Sequence, residues 1–263
     1  MKLTYLISCM NQEDSSIIKK TGIQSDVVVI NQCNKNKIEE FDFKNTAGRI
    51  CHAKFICTTQ RGLSKSRNMA IRYADGDICQ ICDDDQTVIE NGEAIITKVY
   101  EDNPKSGVIA FALNRLDGNK QYPTKRQPLK FQQILRTNSL QITFRRNIII
   151  ENNVFFDEKM GSGTGNGGGE ENKFLLDCRS KGINLLYSPE VIGTVLPSQS
   201  QWFNGYNIEF MRNQGWTSRR TMGFFIGLIY IIRYGLCHHH LYKSNLSYFK
   251  AMKGLISGFF EER

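Results

Sequence analysis

Short β-rich runs alternate with helical patterns through the first half of the chain, and that alternation limits the fold more than any other feature. Segments 3–8, 26–30, 55–58, 77–82 and 107–113 read as strands, and segments 15–20, 64–74 and 91–102 as helices. Strands that alternate with helices need right-handed crossovers, so an α/β fold is expected, with a mostly parallel sheet flanked by helices. The 263 residues allow one large domain or two small ones. Apolar residues at 40% and charged residues at 23% exclude a disordered, collagen-like or coiled-coil chain.

The charge is unevenly placed. Lys and Arg number 34 against 26 Asp and Glu, a net +8. Residues 212–263 carry eight of the cations against Glu261 and Glu262, so +6 falls there and +2 on the rest. A boundary near 211 therefore separates an α/β body, 1–211, from a basic tail, 212–263. In the tail, Met222, Phe224, Phe225, Ile226, Leu228, Ile229, Ile231 and Ile232 are flanked by Arg219, Arg220 and Arg233. A second stretch, 248–260, mixes Lys250 and Lys253 with Leu255, Ile256, Phe259 and Phe260. Basic amphipathic helices of this kind lie on anionic membrane surfaces. Packing on the body or a homodimer interface is the plainer alternative. The longest apolar run, 222–232, is 11 residues, too short for the roughly 20 that a spanning helix needs.

The first residues show no secretory leader, and the eight cysteines have no small-scaffold spacing, so a cytoplasmic protein with reduced thiols is expected. Cys79 and Cys82 lie on one strand three apart, face opposite ways and read as core thiols. The neighbouring His238, His239 and His240 cannot share one helix face, which argues against a metal site there.

Three features carry chemistry. Asp83, Asp84 and Asp85 end the apolar run Ile78-Cys-Gln-Ile-Cys82. Consecutive carboxylates repel unless a cation or donors separate them, and the carboxyl end of a parallel strand is where ligands bind. As hard oxygen ligands, Asp83 and Asp85 suit Mg²⁺ or Mn²⁺; a solvated acidic turn is the plainer reading. Glu170 and Glu171 open a helix predicted over 170–181, closed by Gly182. The pair is either a catalytic acid–base device or a favourable first turn. Six glycines crowd residues 161–169. Their match to a dinucleotide fingerprint is rejected, because the following helix begins with two carboxylates that repel a pyrophosphate. A mobile loop that orders over substrate is expected instead.

The run Arg61-Gly-Leu-Ser-Lys-Ser-Arg-Asn-Met-Ala-Ile71, followed by Ala74-Asp-Gly-Asp-Ile-Cys-Gln-Ile-Cys-Asp-Asp-Asp85, resembles the core signature of family 2 glycosyltransferases of the GT-A fold. Asp83-x-Asp85 resembles the DxD motif. Phe156-Asp-Glu, followed by Gly169-Glu-Glu171, is similar to the family's acceptor-side element. The resemblance spans roughly residues 3–200 in order. It implies a nucleotide-sugar donor, UDP-linked in our reading, and inversion at the anomeric carbon. By position it assigns Asn11, Asn31, Gln32, Gly62, Arg67, Asp83 and Asp84 to donor binding, and Asp85 with Asp83 to a Mn²⁺ or Mg²⁺ ion. It assigns Glu171 as base with Glu170 as its substitute, and Gln201 and Trp202 to the acceptor, although Trp202 could equally be core.

Three departures from the family pattern stand out. Glu171 replaces a more usual Asp, Asn31-Gln32-Cys33 replaces acidic residues, and Met10-Asn11 replaces Tyr-Asn. The resemblance also implies a glycan or polyprenyl-linked glycan acceptor and bacterial surface-polysaccharide synthesis at the inner face of the plasma membrane. Two rivals remain at this stage. A non-catalytic nucleic-acid-binding protein would explain the pI near 9.0, but the charge sits in an apolar tail, so no nucleic-acid partner is expected. A nucleotidyltransferase on the same scaffold lacks its glycine-rich basic loop, since 8–14 hold neither glycine nor Lys or Arg.

Overall fold

The computed structural model describes residues 1–115, 122–195 and 205–263. The chain runs β1 (Leu3–Met10), α1 (Ser16–Lys20), β2 (Asp26–Gln32), β3 (Lys37–Lys44), β4 (Ile50–Thr58), α2 (Leu63–Tyr73), β5 (Ile78–Asp83), β6 (Gln86–Val88), α3 (Gly92–Asp102) and β7 (Val108–Arg115). There follow β8 (Gln127–Pro128), α4 (Phe131–Ile134), β9 (Ile142–Arg145), α5 (Arg146–Glu151), α6 (Glu170–Ser180), β10 (Leu185–Val195), α7 (Ile208–Cys237), α8 (His239–Tyr242) and α9 (Tyr248–Phe259). One sheet has the order β3-β4-β2-β1-β5-β9-β7-β10-β6, with β8 beside β10. Strands β4, β2, β1 and β5 are parallel, and β9 joins them antiparallel to a second parallel pair, β7 and β10.

Both faces of this sheet are covered, so its central strands are apolar throughout. Tyr5, Ile7, Val27, Val29 and Cys82 feed one core, while Leu6, Val28, Ile30, Cys79 and Ile81 feed the other. The two thiols thus point to opposite sides, as the period of a strand requires.

Three sequence expectations change. The sequence pattern gives no strand over 37–44, yet β3 forms there as an edge strand. Its outer positions are charged, which hides a strand from a hydrophobicity scan and guards an edge from stray pairing, while Phe41 and Phe43 pack inward. The sequence also reads as two strands over 183–187 and 191–196, yet one strand forms there, β10, whose register shifts between Ser188 and Val191. That irregularity accommodates Pro189, which has no N–H for a ladder.

The third change is in the tail. Helix α7 is 30 residues long and, by length and composition, apolar enough to cross a membrane. Gly223, at φ 74° and ψ −173°, breaks it into two arms, 208–222 and 224–237, each shorter than a bilayer span of about 20 residues. Both arms close on α9 around a small core of Met211, Ile231, Tyr242, Ala251, Leu255 and Phe259. Glycines permit backbone-to-backbone contact there. A Cβ on Gly258 would sit 1.8 Å from the Arg212 carbonyl oxygen, and one on Gly215 2.0 Å from that of Leu255.

Candidate active site

The chain leaves β1 toward β2 on one side and reaches β5 on the other, and at such a reversal the carboxyl ends of the strands open a crevice. Asn11, exposed and at φ 51°, follows β1 into that crevice. Asp83 ends β5 opposite Ser8 of β1.

Arg67 organises the site. The buried face of α2 carries Arg67, and its guanidinium lies 5.4 Å from the centre of the Phe156 ring. One nitrogen, Nη2, donates to both oxygens of Asp83 at 3.0 and 3.1 Å. The other, Nη1, donates to Glu170 Oε1 at 3.2 Å and to Glu171 Oε1 at 3.0 Å. A single buried cation therefore joins the end of β5 to the start of α6, and its pKa is raised: burial opposes the charge, but Asp83, Glu171 and Glu170 outweigh it.

With all three carboxylates ionised the cluster is −2 around Arg67. That excess shows in Glu170, whose carboxyl is pushed up to about 7, first by burial and then by Glu171, with Arg67 pulling the other way. Its Oε2 is buried without a hydrogen-bond partner among the described residues, which identifies the oxygen where a proton relieves the most. Asp84 is raised as well, by burial and by its neighbours Asp85 and Asp83.

Glu170 yields a pH prediction. The folded protein holds this proton to about pH 7, whereas the unfolded chain releases it near 4.5. The contribution to stability is thus present below 4.5 and is lost as pH rises through 7. Glu170→Gln keeps an acceptor for Arg67 and removes the charge. At pH 8 it is expected to raise Tm by about 2–4 °C per kcal/mol recovered, and the gain should vanish toward pH 4.5. Thermal melts across that range check it; a variant equally destabilised at both ends refutes the buried-charge account.

Other anticipated donor residues are placed differently. Asn31 is buried, accepting from Gln12 N at 2.9 Å and donating to Gln12 O at 2.8 Å, so its amide fixes the β1–α1 loop. Gln32 is buried too, and its Oε1 accepts from Gly62 N at 2.8 Å. Gly62 turns the chain into α2 at φ 120°. Gln201 and Trp202 lie outside the described residues.

Ser139 was missed by the sequence reading. Its hydroxyl donates to Asp83 Oδ2 at 2.6 Å and accepts from Gln86 Nε2 at 2.9 Å. A serine in a polar stretch gives no sequence signal for such a role.

The glycine segment makes more hydrogen bonds than its composition suggests. Gly161, Gly163, Gly165, Gly167 and Gly169 all have positive φ, a conformation other residues adopt only with strain. Hydrogen bonds from Gly161 N to Gly167 O and from Leu63 N to Ser162 O close it against α2. The tail braces its far side: Thr217 Oγ1 donates to Gly168 O, and Arg263 Nη1 to Asn166 Oδ1.

The doubly wound sheet, with carboxylates at its reversal, is the frame that the resemblance to GT-A glycosyltransferases implies. The profile of glycosyl transferase family 2 matches residues 14–163, more than half the chain, and the protein belongs to that family. No curated protein matches the chain significantly.

Solved structures share the fold at low identity. S. aureus TarS 1-349 in complex with UDP-GlcNAc matches 98% of this chain and 79% of its own, with TM-score 0.66 and 12% identity. Its complex with UDP gives TM-score 0.61 over 94% of this chain and 76% of that one, at 13% identity. The mannosyltransferase PcManGT from Pyrobaculum calidifontis, in complex with GDP-Man and Mn²⁺, gives TM-score 0.56 over 98% and 73%, at 13% identity.

Proposed function

We propose that this glycosyltransferase is inverting and divalent-cation-dependent. In this reading it moves a sugar from a UDP-linked donor to a hydroxyl of a glycan or polyprenyl-linked glycan, in bacterial surface-polysaccharide synthesis at the inner face of the plasma membrane. Arg67's simultaneous grip on Asp83, Glu170 and Glu171 carries the reading, because it gathers donor-side and acceptor-side groups around one point. The neighbours' complexes with UDP-GlcNAc and with GDP-Man and Mn²⁺ support the donor class.

The residues fit a divalent cation. An anionic cluster cannot receive a diphosphate without a counter-charge, and Mg²⁺ takes one or two carboxylates together with substrate phosphates. Among the described residues no three His, Cys, Asp or Glu side chains gather into a ready-made metal cage. Asp85, exposed at the end of the triplet, is the ligand of choice, with Asp83 beside it. When bound, the ion would neutralise charge on the leaving diphosphate.

The chain's own residues do the rest. Arg67 pins Oε1 of Glu171, which assigns the acceptor's proton to Oε2. As the acceptor oxygen bonds to the anomeric carbon, the bond to the diphosphate breaks, its electron pair leaves with the nucleoside diphosphate, and configuration inverts. Glu171 is the more open of the pair, with 17% of its side chain exposed against 5% for Glu170. An acceptor can reach it.

The metal assignment is tested by calorimetry. Asp85→Asn should fold normally yet lose the Mn²⁺-dependent part of UDP affinity. Equal affinities in both proteins with Mn²⁺ would place the cation elsewhere.

A further inference from the structure

We propose that the cleft between the tail and the catalytic body binds the phosphate headgroup of an acidic membrane lipid, with phenylalanines at its mouth entering the acyl layer. The proposal deepens the membrane part of the reading above and is independent of the transfer chemistry.

The cleft has a volume of about 710 Å³. Five cations line it, Lys159, Lys173, Arg219, Arg220 and Arg263, against the carboxylates Asp157, Glu261 and Glu262. Most of these charges are already spoken for. Arg220 donates to Asp157 at 2.8 Å, Lys173 to Asp177 at 2.8 Å, and Arg263 to Glu261 at 3.1 Å. Lys159 makes no ion pair among the described residues and donates to the Arg263 carbonyl at 2.8 Å. Arg219 is exposed, also makes no ion pair among the described residues, and lies over the rings of Phe224 at 4.9 Å and Phe259 at 5.7 Å. A guanidinium held on aromatic rings and still open to solvent keeps its charge available to an anion.

What borders the cleft selects the anion's source. Phe225 and Phe260 pack edge-on to Phe224 and are 79% and 62% exposed. From Phe225 the exposed side chains continue as Ile229, Ile232 and Leu236, a stripe at helical spacing. Between Arg212 and Phe260 the sequence has seven Arg or Lys and no Asp or Glu. Phosphate in water cannot cover apolar side chains, and nucleic acid offers no acyl layer for them. A second copy docked through the same face would bring two faces of like net charge together, which is unfavourable. A bilayer carrying acidic lipid satisfies both the charge and the apolar stripe.

Sedimentation of the 263-residue chain with vesicles tests this. The protein should bind vesicles of equal parts phosphatidylcholine and phosphatidylglycerol and ignore phosphatidylcholine alone. Arg219→Glu changes two charge units, so at about 1 kcal/mol each it should weaken binding about 30-fold. Phe225→Ser should also release the protein, and Arg219→Gln should fall between wild type and Arg219→Glu. UDP-GlcNAc thermal shifts should be the same in all variants, which shows that they fold and separates this site from the donor site.

Three results would overturn the proposal. One is equal binding to both vesicle types. Another is saturable binding of soluble glycerol phosphate with vesicle binding unaffected by Phe225→Ser, which would make it a free-phosphate site. The third is a dimer in sedimentation velocity that Phe225→Ser dissociates without any phosphatidylglycerol dependence.

Discussion

Glu171→Gln is expected to lower turnover about 10²–10⁴-fold while donor affinity stays unchanged, the loss that follows removal of a positioned general base. The substitution is nearly isosteric and leaves an oxygen for Arg67 Nη1, now 3.0 Å from Glu171 Oε1, so the cluster keeps its shape. What disappears is the capacity to take a proton. The readout is release of nucleoside diphosphate from a panel of nucleotide sugars, with glycan acceptors present, beside calorimetry with the nucleotide alone. Glu170→Gln is the control, because it removes a charge from the same helix start. A larger turnover loss in Glu170→Gln than in Glu171→Gln would exchange the two roles. Full activity in both would leave the pair as a helix start and move the base elsewhere.

The parts of the fold that were legible in the sequence are those where local pattern and tertiary environment agree. β5, α2 and α6 fall within a residue or two of expectation, because each combines a clean period with a stop signal, such as Gly182 at φ 75° after α6. β3 was illegible because an edge strand shows water its polar side chains. The hydrogen bonds of the glycine segment were not legible, because composition reports conformational freedom and not which backbones meet. The tail's turn at Gly223 and its glycine-mediated contacts with α9 depend on which backbones meet, and no window of sequence records that.

The site divides in the same way. The acidic triplet and the Glu pair were legible as separate motifs. That Arg67 binds both was not, since Asp83 lies 16 residues away and Glu171 lies 104 away. Nor could spacing show that Asn31 and Gln32 turn inward to hold loops. Sequence reading places residues at an element's end; which way an amide turns there is settled by the orphaned backbone groups nearby.

Arg67→Met should be the most destabilising single change in the catalytic body. It removes a fully buried cation and leaves Asp83, Glu170 and Glu171 converging on an apolar side chain. Breaking a buried ion pair from one side costs about 3–5 kcal/mol, and the remaining charges repel one another besides. For a chain of this size each kcal/mol is worth about 2–4 °C, so Tm should fall by roughly 10 °C or more.

The deficit has a pH signature. With Arg67 gone, the carboxylates hold protons more tightly in the folded than in the unfolded state, so the folded form loses ground as pH rises. The gap to wild type should be wide at pH 8 and narrower near pH 5, as read by urea titration at both. Arg67→Lys separates charge from geometry: an ammonium restores one positive charge but lacks the planar fork that reaches Asp83 and the Glu pair together. It should recover part of the stability and little of the turnover. Were Arg67→Met as stable as wild type at pH 8, the four groups would not be coupled through charge. The common anchor for the end of β5 and the start of α6 would then have to be sought outside Arg67.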